Sequence, residues 1–168
     1  FRNVICMSKQ NHGHDNRLMK LLCKTLLAAK HCGQLRHDFM FTSIQCNKNL
    51  CAKEHRDENN EGPSAIVKIG PTKTFLGVKN GAGNIDMIDC WNRFAEFNGS
   101  HFHKTEMGSR SSDGEHYSFV FYVVKGWASA NVVDVQRLRS WGCSIPSTLV
   151  FMNNNLRNEV SGEALSTD

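Results

Sequence analysis

Three imidazoles, His101, His103 and His116, fall within sixteen residues of the chain. Imidazole titrates near neutral pH and is the commonest metal ligand. A group of three could therefore hold a divalent ion such as zinc or make a binding surface sensitive to pH. His101 and His103 flank Phe102. In an extended strand both histidines would point to one face and Phe102 to the other. The simpler expectation is three separately hydrated or singly hydrogen-bonded histidines, with no metal and no other cofactor. Cys46, Cys51 and His55 read C-x4-C-x3-H, half of a zinc site. No second pair stands at a suitable distance and no C-x2-C occurs, so zinc is not expected there either. Asn80-Gly81-Ala82-Gly83 lacks the Lys-Ser/Thr of a phosphate loop.

The elements that position these groups are short. Asn98-Gly99 is a turn pair that feeds the strand carrying His101 and His103, and Asp113-Gly114 is a second turn signal. The aromatic and β-branched run 117–124 reads as the strand that follows. Upstream, 1–8 is apolar enough for a strand, and Asp15 or Asn16 caps a helix. Its apolar residues Leu18, Leu21, Leu22, Leu26 and Ala29 are spaced three and four apart and predict one buried stripe. Cys32-Gly33 ends it, with Lys30 and His31 in the last turn. Residues 39–45, 64–69, 74–78 and 84–90 read as further strands, and 91–97 leads into the histidine stretch. The charged run 47–62 reads as a solvated loop. Ser129 or Asn131 caps a second helix, lined by Val132, Val135, Leu138 and Trp141 and ended by Gly142. A strand over 148–152 closes the series. Two helices and about seven short strands without β-α-β alternation predict an antiparallel barrel or sheet with helices outside it.

The 168 residues suffice for a single domain, expected over 1–155, followed by a polar tail at 156–168. The chain begins at Phe1, which suggests a segment of a longer protein. Net charge is +4, from 20 basic and 16 acidic residues, too mild to call for a nucleic-acid partner. No apolar run approaches the length of a membrane span, so no membrane partner is expected. Seven scattered cysteines suggest reduced thiols and an intracellular location, cytoplasmic or nuclear.

Asn98-Gly99-Ser100-His101-Phe102 and Asp113-Gly114-Glu115-His116-Tyr117-Ser118-Phe119 resemble the core motifs of the cyclophilins, the barrel-shaped peptidyl-prolyl isomerases. Residues 64–75 and 80–87 fall into that family's order without a gap, and the late helix and closing strand over 126–152 also fit it. The resemblance implies an eight-stranded antiparallel β-barrel capped by two α-helices, with the family's first strand missing or upstream of Phe1. Such an isomerase needs a guanidinium beside the prolyl amide to lower a barrier of about 18–20 kcal/mol. Phe41 or Ser43 stands in that arginine's place. Arg36 and Lys48 are the nearest cations and neither fits the register. Asp89 replaces an amide, His101 and His103 replace a glutamine and a pocket phenylalanine, and Ser111 and Ser112 fall where the groove tryptophan and leucine belong. Of the former groove only His116 keeps the family's residue. The resemblance thus implies a non-catalytic cyclophilin-like interaction module of a larger protein, binding a peptide or a partner domain. The alternative is an isomerase with a rebuilt site, in which Arg36 or a protonated His101 substitutes for the arginine.

Overall fold

The computed structural model describes residues 4–5, 17–107 and 114–146. The caps expected at Asp15 or Asn16, the serines 111 and 112, and the strand and tail beyond 147 lie outside the described residues. Eight strands and two helices follow one another: β1 (Val4–Ile5), α1 (Arg17–His31), β2 (Ser43–Lys48), β3 (Asn60–Ile69), β4 (Thr74–Lys79), β5 (Ile85–Asp89), β6 (Ala95–Phe97), β7 (His103–Met107), β8 (Tyr117–Val124) and α2 (Val132–Ser140). The architecture is mainly β and antiparallel, as the sequence predicts. The strands do not form one continuous ring among the described residues. They divide into a five-stranded sheet of order β1-β2-β8-β3-β6 and a three-stranded sheet of order β5-β4-β7. The division starts where β3 runs into Gly70-Pro71. Proline has no N–H to continue a ladder, and the chain crosses to the other sheet before β4 begins.

β8 is the axis of the larger sheet, with β2 on one side and β3 on the other. Its side chains alternate. Phe119 and Phe121 enter a core that includes Met19, Leu22, Cys23 and Leu26 of α1, Leu138 of α2, and Phe41 and Phe94. Val120 packs on the opposite side, in a second core with Ile66, Leu76, Val78, Cys90 and Phe97. The molecule is therefore layered as helices, large sheet, small sheet. β3 is buried along Ser64–Lys68 because both of its faces are covered: Ala65 and Val67 belong to the helix-side core and Ile66 to the core between the sheets. By the same alternation Lys68 faces the small sheet.

The helix α1 corrects one expectation. The buried residues are Met19, Leu22, Cys23, Leu26, Ala29 and Lys30, while Leu18 and Leu21 are 45% and 61% exposed. Leucines stand on nearly every side of this helix, so its rotation is set by the aromatic core it packs against rather than by its own pattern. Its end is as predicted. Gly33 is left-handed (φ 75°), its N–H reaches the Lys30 carbonyl, and the Gln34 N–H reaches Ala29. In α2, Asn131 is the cap and accepts from the Asp134 N–H at 2.8 Å. Val135 and Leu138 are buried, whereas Val132 is 58% exposed.

Candidate metal centre in the inter-sheet cleft

The run expected to be a solvated loop, 47–62, is laid against the start of β7. His55 and His103 exchange both backbone hydrogen bonds (3.0 and 2.9 Å), and the Thr105 N–H reaches the Ala52 carbonyl at 3.0 Å. Segment 52–57 thus lies along β7 beside the small sheet, with a bend at Glu54 and a bridge at His55 from which the chain runs on extended to Asp57. In an extended segment residues two apart share a side. His55 and Asp57 accordingly lie partly buried on the inner side, and Arg56 between them is exposed.

This pairing brings His55, Asp57 and His103 together. One donor atom from each lies within 4.8 Å of the others. His55 Nε2 is 3.7 Å from Asp57 Oδ1, and His103 Nε2 is 3.7 Å from Asp57 Oδ2. The opposite ring nitrogens are tied to carbonyls: His55 Nδ1 to Lys53 at 2.7 Å and His103 Nδ1 to His101 at 2.8 Å. A carbonyl only accepts, so each Nδ1 carries the proton and each Nε2 presents a lone pair toward the carboxylate. Metal-binding histidines are commonly oriented this way. Burial pushes the His103 imidazole below its ordinary pKa, aided by the neighbouring His55 and opposed by Asp57 and the His101 carbonyl. The ring is held neutral, the form a metal requires.

The carboxylate is also held. Asn60 Nδ2 donates to Asp57 Oδ2 at 3.0 Å and lies 3.2 Å from Ser64 Oγ, and the Asp57 N–H reaches the Gly99 carbonyl at 2.8 Å. Gly99 is closely packed here. A Cβ on it would stand 3.1 Å from Asp57 Oδ2 and 3.2 Å from both Asn60 Nδ2 and Ser64 Oγ. The Asn98-Gly99 turn is thus as predicted, with Asn98 Oδ1 accepting from Ser100, and its glycine is where the chain meets the acid. Phe97 packs its ring edge-on to His103, with centroids 5.1 Å apart. The triad opens on a cleft of about 810 Å³ between the sheets, whose walls include Leu76, Val120 and Tyr122.

The residues singled out in the sequence go to separate places. His101 and His103 do not share a face. His101 is exposed in the turn before β7 and His103 is the buried first residue of the strand. His116 lines a different pocket, below β8. The trio His101, His103 and His116 therefore contributes one member to the cluster. Asp89 is paired with Lys73 at 2.9 Å, which holds its carboxyl below the usual range. Phe41 is fully buried, edge-to-face with Phe121 at 5.3 Å, and Ser43 begins β2. Arg36 is bound to Glu96 at 2.8 Å, and Lys48 is paired with Glu115. The C-x4-C-x3-H spacing does not assemble. Cys51 Sγ lies against the Thr105 carbonyl at 3.9 Å, and His55 joins Asp57 instead. The signal that the sequence did offer was His55-x-Asp57, two ligand types on one side of an extended segment, with a third imidazole far downstream. Its low specificity and its position in a polar run hid it.

No family model and no curated protein matches the chain. Among solved structures, it is similar to NgTET1 in complex with 5mC DNA, at a TM-score of 0.50 and 14% identity, over 70% of this chain and 53% of that one. The chain thus spans about half the length of that structure, and the likeness is one of fold.

Proposed function

We propose that the chain is a mononuclear metal-dependent enzyme of the non-haem iron(II) oxygenase type, with His55, Asp57 and His103 as the ligands. The observation that carries this reading is the double orientation of the site. Both imidazoles are locked with Nε2 toward one carboxylate, which is itself held by Asn60. Two histidines and one carboxylate on one face of an ion, with the remaining positions open, is the donor set of such oxygenases. His55, Asp57 and His103 would each offer one donor atom to such an ion, and these atoms lie within 4.8 Å of one another. When bound, iron(II) supplies the redox centre for dioxygen chemistry. The residues of the chain do the rest: Asn60 and the two carbonyls fix the ligands, and Phe97 shields His103. The open side faces the inter-sheet cleft, where a substrate has room.

Metal titration tests the reading directly. Anaerobic Fe(II), or Co(II) followed by its visible absorption, should saturate at one ion per chain. His103→Ala and Asp57→Asn should each abolish saturable binding while the far-ultraviolet spectrum stays unchanged. Absence of saturable binding in the native protein would overturn the reading. Saturable zinc binding with exclusion of iron would turn it toward metal-assisted hydrolysis. The non-catalytic cyclophilin-like module and the rebuilt isomerase expected from the sequence both predict indifference to metal, so the same titration weighs them against the proposal.

A further inference from the structure

Cys23 and Cys143 stand 120 residues apart in sequence, yet their sulfurs meet at 3.7 Å. They meet in the helix-side core, across the large sheet from the metal cleft. Both side chains are buried, at 3% and 7% exposure. Among the described residues no other two cysteine sulfurs are in contact. The approach is set by secondary structure on both sides. Cys23 lies on the buried face of α1, with Met19 and Leu26. Cys143 belongs to the cap of α2. Gly142 is left-handed (φ 91°), its N–H reaches the Arg139 carbonyl at 2.9 Å, and the Cys143 N–H reaches the Leu138 carbonyl at 3.1 Å. A side chain on Gly142 would press its Cβ to 3.4 Å from the Cys23 Cβ, so the glycine lets α1 come close. The next residue is fastened too. The Ser144 carbonyl accepts from the Phe41 N–H at 2.7 Å, and Ser144 Oγ accepts from Lys30 Nζ at 3.2 Å. The two sulfurs share a hydrogen bond and so already point at each other. A disulfide of about 2.05 Å asks them to approach by roughly 1.7 Å more.

We propose that Cys23 and Cys143 are a redox pair, closed by hydrogen peroxide to a reversible disulfide that staples α1 to the cap of α2. The proposal is independent of the metal site. With the Cys143 S–H donating, the Cys23 thiol is drawn below its ordinary pKa, against the effect of burial, and the Cys143 thiol is pushed up. Cys23 is therefore the attacking sulfur. It takes one oxygen of the peroxide as the O–O bond breaks, and the other oxygen leaves as water with the Cys23 proton. The Cys143 sulfur then attacks the sulfenic sulfur. The S–S bond forms, the S–O bond breaks, and a second water leaves with the Cys143 proton. Two thiols lose two electrons, and one peroxide becomes two waters. Peroxide is small enough to reach the pair through local opening of the α2 cap.

The test uses the whole chain, reduced and then treated with hydrogen peroxide in the presence of a chelator. Digestion without reductant and mass spectrometry should find the Cys23 and Cys143 peptides joined, lighter together by two hydrogen atoms. The link should raise the melting temperature by roughly 5–15 °C, because it closes a long loop. Dithiothreitol should reverse both changes. Cys143→Ser should lose the joined peptide and the shift, and Cys143→Ala serves should the serine variant fail to fold. Free Cys23 and Cys143 after peroxide treatment of the native protein would overturn the proposal. So would a link that forms only in denaturant, or oxidation confined to the exposed Cys32 and Cys51. A joined pair with no rise in melting temperature would overturn the staple. The chelator removes metal from the assay, so its failure is separate from any failure of the metal titration above.

Discussion

His103 concentrates the chemistry of this protein in one side chain. It is buried, its Nδ1–H is spent on the His101 carbonyl, and its Nε2 looks at Asp57. Its folded-state pKa lies below the ordinary 6.5, with burial as the main cause. In the pH range between that lowered value and 6.5 the unfolded chain therefore binds more protons than the folded one. Stability of the metal-free protein should fall as pH drops through about 6.5 and level off once the folded imidazole is also charged. Urea midpoints measured on either side of that value would show the slope, and His103→Gln should flatten it. Metal affinity should weaken at more acidic pH than this, near and below the lowered folded-state pKa, where the proton competes with the ion for Nε2. Next to it, Asn60→Ala should leave the fold intact and weaken metal binding by about 10–100-fold, the usual effect of removing a group that orients a ligand. Gly99→Ala should do so as well, because its Cβ would press on Asp57, Asn60 and Ser64 together. Metal titration of the two variants checks both expectations, and an unchanged affinity in either would show that the carboxylate is held by other means.

At the scale of elements, β8 and the segment 52–57 do different work. β8 is central to the large sheet and carries Phe119 and Phe121 into the core against α1. Phe121 is fully buried between Phe41 and Phe94, so Phe121→Ala should cost about 3–5 kcal/mol in a chemical denaturation experiment. The cap of α2 is worth less. Asn131→Ala removes the acceptor for the Asp134 N–H and should cost about 1 kcal/mol by the same measurement. Strand β8 was legible in the sequence because aromatic and β-branched residues alternate along it, and alternation is a local property. Segment 52–57 was not. Its composition is that of a solvated loop, and its place in the fold comes from hydrogen bonds to β7, nearly fifty residues away. Helix α1 falls between these cases. Its existence and its glycine end were local and readable, but its buried face was not, since a helix with leucines on several sides has no preferred rotation until a core is supplied.

For the molecule as a whole, the layers assign separate tasks. The helix-side core holds the aromatic bulk, and the space between the sheets is left partly open and polar. A ligand that binds only the folded state raises stability by mass action. A saturating divalent ion should therefore raise the melting temperature of the native protein and leave that of Asp57→Asn unmoved, which a thermal scan with and without metal decides. No helix among the described residues is long and apolar enough to cross a membrane. The sequence by itself determined what depends on near neighbours: an antiparallel, mainly β chain with two outer helices, the glycines that end those helices, Asn131 as one of two candidate caps of the second, and the Asn98-Gly99 turn. Tertiary structure alone decided which imidazoles meet. His101 and His116, close to His103 in sequence, are sent elsewhere by a turn and by a crossing between sheets. His55 and Asp57, distant in sequence, are brought to His103 by backbone pairing. The physical reason is range. Periodicity and turn chemistry act over a few residues, whereas a site between two sheets is defined by which strands pair, and that follows from burying the whole set of apolar faces at once.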